Sequence, residues 1–134
     1  MEKQTGIWID GSKATIITLS NGSEQVHTIE SQLENRIYHD KEGDKGSFMG
    51  AHHISHEKKF EERRKHQLNN FLKEITSFVA DTSELYVFGP AETKIELKKM
   101  IGDNKTLAKT LKKIESADHM TQNQIIAKVK DFYL

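Results

Sequence analysis

The chain has 134 residues, of which 35% are hydrophobic and 7% aromatic, with one Pro and no Cys. That length suits one domain with its own core, and the missing thiols exclude disulfide scaffolds, thiol catalysis and thiolate metal sites. Twenty basic and 20 acidic residues cancel, so electrostatic arguments rest on where charge lies along the chain.

The segment Ile7-Trp8-Ile9, the Asp10-Gly11 turn and residues 14–19 predict a β-hairpin. Asn21-Gly22 supplies a second turn, after which residues 25–30 and the short run 36–39 extend a meander of three or four antiparallel strands. Residues 40–56 carry Gly43, Gly46 and Gly50 and read as one long protruding loop. Residues 57–80 predict a helix of about six turns, with Leu68, Phe71, Leu72, Ile75, Phe78 and Val79 on one face. Between Glu57 and Gln67 only Phe60 is apolar, so this half has little to bury and is expected to project from the body.

Leu85-Tyr86-Val87-Phe88 is apolar on both faces, as a central parallel strand requires, and Gly89-Pro90 ends it. Pro90 suits the first turn of a helix over 91–101 that offers Ile95, Leu97, Met100 and Ile101 for burial. Residues 111–117 predict a fifth strand. Thr121 with Gln124 matches a capping box, and Ile125, Ile126, Val129, Phe132 and Tyr133 form the stripe of a docked last helix. Between 94 and 113, seven lysines (Lys94, Lys98, Lys99, Lys105, Lys109, Lys112, Lys113) face only Glu96 and Asp103. The order β-β-β-(β)-α-β-α-β-α describes a single α/β domain over 1–134, a three-layer mixed sheet with helices on both faces.

No run approaches the roughly 20 apolar residues of a membrane span, and Met1-Glu2-Lys3 leads into a strand without a secretory signal. The expected location is the cytoplasm, with no membrane partner.

The Trp8-Ile9-Asp10-Gly11-Ser12 hairpin, the glycine-bearing loop entering a charged helix, the strand-turn from Leu85 to Pro90, and Ala117-Asp118 before the last helix resemble one known domain. It is the central domain of eukaryotic and archaeal class I peptide-chain release factors and of Pelota, which also has bacterial relatives. The resemblance implies an RNase H-like fold of the translational-machinery-component type. In release factors a protruding loop carries a Gly-Gly-Gln tripeptide that enters the peptidyl-transferase centre. Here the matching interval reads Gly46-Ser47-Phe48-Met49-Gly50-Ala51-His52-His53, so the hydrolytic role does not carry over, and a bacterial release-factor-like relative lacking the tripeptide is implied. The flanking domains that recognise stop codons are not expected in this single-domain chain.

The candidate RNA-binding residues are Lys41, Lys45, Gly46, Gly50, His52, His53, Lys58, Lys59, Arg63, Arg64 and Lys65: glycines permit close backbone approach to phosphate and the cations neutralise it. The bland alternative is a solvated helix face on which Glu57, Glu61 and Glu62 pair with neighbouring bases. His52 and His56 stand at the i, i+4 spacing of metal pairs, but no HExxH frame surrounds them, and exposed polar loop residues are the preferred reading, with no metal expected. Asp10 ends the first strand, where RNase H-like nucleases hold a metal-binding carboxylate. Asp before Gly is already explained by the turn, and Glu92 is a poor second ligand. Gly89 and Ala91 mark a strand-to-helix junction able to hold an anion, against which stand Pro90, lacking an N–H, and the charge of Glu92.

These features point to a non-catalytic translation-associated module that binds ribosomal RNA or tRNA, without a cofactor. The alternatives are a metal-dependent nuclease or other hydrolase of RNase H-like fold, and a protein-interaction domain that self-associates, for instance as a homodimer.

Overall fold

The structure is a computed structural model that describes residues 3–31 and 50–134, and side chains throughout these except 50–57. Five strands form one mixed sheet: β1 (Gln4–Ile9), β2 (Lys13–Ser20), β3 (Ser23–Glu30), β4 (Glu84–Gly89) and β5 (Leu111–Ser116). Their spatial order is β3-β2-β1-β4-β5. The β1–β2 and β2–β3 pairs are antiparallel, as their short turns require, whereas β1–β4 and β4–β5 are parallel and need crossovers. Those crossovers contain α1 (Gly50–Phe78), then α2 (Thr93–Gly102) with the single turn α3 (Lys105–Ala108); α4 (Gln122–Tyr133) ends the chain.

Side chains alternate across the sheet and divide the core in two. Ile7, Ile9, Ile16, Leu85 and Val87 face α1 and α2, where Phe71, Leu72, Ile75, Leu97 and Ile101 meet them. Trp8, Ile17, Tyr86 and Phe88 face the other way and are covered by Ile125 and Val129 of α4. This is the three-layer arrangement read from the sequence, with Leu85 to Phe88 interior and fully buried. Thr121 and Gln124 form the expected capping box.

Two glycines permit the closest approaches. A Cβ on Gly6 would lie 2.3 Å from Cγ2 of Val129, so α4 packs directly on the β1 backbone. Gly89 has φ +151°, and a Cβ there would lie 2.1 Å from the carbonyl oxygen of Ile9. Polar links close the edges of the core: Thr5 and Thr82 hydroxyls lie 2.7 Å apart, and the Tyr133 hydroxyl donates to the Thr5 carbonyl at 2.7 Å.

Several expectations are corrected. The long helix begins at Gly50, not at 57, because nothing after that glycine breaks helical backbone; residues 50–56 of the expected loop are helical. The next helix begins at Thr93, because Ala91 adopts φ +57°, a left-handed conformation that no helix continues. Phe78 is 45% exposed and stacks on His27 of β3, at a centroid distance of 4.2 Å, instead of entering the core. Ile95 is 39% exposed, and Lys94 takes the inward position. Ile126 is only half-buried. The possible strand at 36–39 lies outside the described residues.

Replacing Phe71 or Ile75 by Ala should cost about 2–5 kcal/mol as a large-to-small core change, and Ile126→Ala clearly less; urea midpoints check the ranking. Gly6→Ala should lower the midpoint, and adding Val129→Ala should recover part of the loss by vacating the space the new methyl needs. A pH series checks a second contact. The Tyr86 hydroxyl donates to Glu115 and, with Lys113 and Lys128, holds that carboxyl below its ordinary range against the opposing effect of burial. A lowered folded-state pKa stabilises above the unfolded carboxylate range and is lost as pH falls through it. Tyr86→Phe should therefore lose less stability than the wild type between about pH 6 and 3.

Candidate nucleic-acid interface

With 29 residues, α1 is about 43 Å long, roughly twice the length of a six-residue strand. Its carboxyl-terminal half carries the apolar stripe, so its amino-terminal half must reach past the sheet. There Lys58, Lys59, Glu61, Glu62, Arg63, Arg64, Lys65 and His66 are all exposed. Phe60 is the exception at 4% exposure, so this half is not the bare projection its composition suggests. A single aromatic among eight charged or polar neighbours carries too weak a periodic signal for sequence reasoning to mark it as buried.

The candidate cations differ in availability. Arg63 and Arg64 are both engaged in contacts. Lys58, Lys59 and Lys65 form no ion pair with a described carboxylate and stand as the open charges of the helix's amino-terminal half. Lys41, Lys45 and Gly46 lie outside the described residues. Gly50, His52, His53 and His56 have described helical backbone, which keeps His52 and His56 one turn apart, but their side chains are outside the description. Between α1 and α2 runs a groove of about 530 Å³ where Glu62, Glu96 and Asp103 offset Lys65 and Lys99. Its mixed lining makes it a poor phosphate cradle.

At the carboxyl ends of the parallel strands, Asp10 closes the hairpin. One carboxylate oxygen accepts the N–H groups of Ser12 and Lys13 at 2.8 and 2.9 Å, and the other lies 3.3 Å from Nε2 of His119. Trp8 Nε1 donates to the Asp118 carbonyl at 3.2 Å and its ring meets the His119 imidazole edge-on. The carboxylate thus ties the first turn to the β5–α4 connection. Sequence reasoning missed His119, which is 109 residues from Asp10 and carries no local motif. Among the described residues no group of three or more His, Asp or Glu side chains is placed to hold a metal ion.

The strand-to-helix junction is also explicit. Gly89 and Ala91 both precede α2, and Glu92, its N-cap residue, makes no side-chain capping bond. Lys94 is 7% exposed, and its ammonium donates to the Ala91 carbonyl. The positive charge nearest this turn is therefore already directed at backbone. Among the described residues no helix is long and apolar enough to cross a membrane.

No family model and no curated protein matches the chain. Solved structures do. An archaeal translation termination factor, aRF1, superimposes with a TM-score of 0.59 at 14% identity, over 96% of this chain and 34% of the factor. Pelota from Archaeoglobus fulgidus gives 0.55 at 14% identity, over 96% of this chain and 31% of its own. The fold is that of one part of these two proteins. The chain spans about a third of their length, and the resemblance read from the sequence holds at the level of fold.

Asp10→Ala should cost about 1–3 kcal/mol in urea unfolding by leaving two turn N–H groups without their acceptor. His119→Ala should cost under about 1 kcal/mol, because that imidazole is 75% exposed.

Proposed function

We propose that the protein is a translation-associated module that binds ribosomal RNA or tRNA through the amino-terminal half of α1 and the glycine-bearing segment before it. The observation carrying this reading is a charged half-helix, reaching past the sheet, on the fold of aRF1 and Pelota. Lys58, Lys59 and Lys65 are its phosphate-contacting cations, while Arg63 and Arg64 shape the surface. Lys41, Lys45, Gly46, Gly50, His52 and His53 extend the contact.

Peptidyl-tRNA hydrolysis is not part of this function. The sequence contains no Gly-Gly-Gln, and Asp10 is used by the hairpin. Binding without chemistry is the role left for the fold, and the ribosome is its partner.

Co-sedimentation with ribosomes across a salt series tests the reading. The wild type should dissociate steeply between 50 and 200 mM salt, because each phosphate contact releases counterions. Replacing Lys58, Lys59 and Lys65 together by Ala should flatten the dependence of log K on log salt by about 2–3 and leave the thermal midpoint nearly unchanged. Association as strong and as salt-sensitive as wild type in that variant would contradict it. Neither protein should release peptide from peptidyl-tRNA.

A further inference from the structure

The basic stretch between residues 94 and 113 plays no part in the reading above, and the structure sorts its lysines. Lys94 is buried. Lys99 pairs with Glu96 at 3.5 Å, Lys112 with Glu84 at 4.0 Å and Lys113 with Glu115 at 3.3 Å. Lys98, Lys105 and Lys109 are exposed and form no ion pair with any described carboxylate.

Their positions converge on one side of the molecule. On α2, Glu96, Lys99, Met100 and Asp103 line the groove against α1, and Leu97 and Ile101 point into the core. At about 100° per residue, Lys98 falls on the remaining flank, away from α1 and toward the β5 edge of the sheet. On α3, Leu107 is buried and lies two residues from both Lys105 and Lys109. Those two lysines therefore stand one turn apart on the outward side. The chain then enters β5, an edge strand whose second and third residues, Lys112 and Lys113, are exposed.

We infer that the α2–α3–β5 side is a second, independent binding surface for the phosphate backbone of RNA, with Lys98, Lys105 and Lys109 as its contacts. The choice of RNA over an acidic protein follows from what the surface lacks. Protein interfaces are built around an apolar or aromatic centre, and on α2, α3 and β5 the one exposed large apolar residue is Ile95, at one margin. Lysine, a flexible point charge, suits backbone contacts that are indifferent to sequence. For its class of partner this inference rests on the RNA-binding reading; its residues are separate from those of α1.

Fluorescence anisotropy with a labelled RNA duplex of arbitrary sequence, alongside ribosome co-sedimentation, tests it. K98A/K105A/K109A should flatten the salt slope by about 2–3, which removes about 15–60-fold of the affinity the wild type loses between 50 and 200 mM salt. K98R/K105R/K109R should bind as wild type, and all three proteins should share one thermal midpoint. An unchanged slope in the alanine variant overturns the inference, even where K58A/K59A/K65A is impaired and the α1 reading stands. The reverse pattern supports this surface and removes α1 from the contact. Loss of ribosome association in the alanine variant with unchanged affinity for naked RNA identifies an acidic protein partner and overturns it, as does a wild type without salt-dependent RNA binding.

Discussion

Burial of β1 from both sides is the constraint on which the rest of the structure depends. β1 pairs antiparallel with β2 and parallel with β4, so it joins the meander to the crossover half of the sheet. Its odd and even positions lead into separate cores: Ile7 and Ile9 toward α1 and α2, Trp8 toward α4. Gly6 lets Val129 touch the strand backbone, and Gly89 lets β4 close against Ile9. Thr5, linked to Thr82 and Tyr133, anchors the strand's beginning to both the α1–β4 connection and the last helix. Each of these contacts requires the others to be in register.

That arrangement leaves the chemistry-bearing side chains at the periphery. Asp10, the carboxylate best placed for catalysis at a strand end, is saturated by two turn amides and a histidine. Lys94, buried at the next strand end, caps a carbonyl. Open charge survives on the part of α1 too long to lie on the sheet and along the α2–α3–β5 side. These open cations are the ones on which the proposed contact with a phosphate backbone rests.

Most of the fold was legible in the sequence because its signals are local. The Asp10-Gly11 and Asn21-Gly22 turns, the two-faced apolar run at 85–88, and the Thr121/Gln124 box each specify an element from a few neighbouring residues. The errors fall where a tertiary contact decides. Pro90 signals a helix start, but the approach of Gly89 to Ile9 and the left-handed Ala91 delay it to Thr93. Phe78 fits the apolar stripe of α1, yet the overhanging edge strand β3 offers it His27 instead of a core. For the candidate site, the charge runs were visible in the sequence; which cations are open was not. Pairing of Lys112 with Glu84 depends on the β4–β5 register, and the His119–Asp10 contact joins parts of the chain with no shared motif.

The proposed function has this fold bind ribosomes through its open lysines. Amine-reactive mass footprinting of the protein, free and bound to ribosomes, tests it most directly because every lysine reports for itself. Protection on binding is expected at Lys58, Lys59 and Lys65 and at Lys98, Lys105 and Lys109, with Lys13 and Lys73 labelled as in the free protein. Labelling that is unchanged at all six, or protection confined to Lys13 and Lys73, would contradict it.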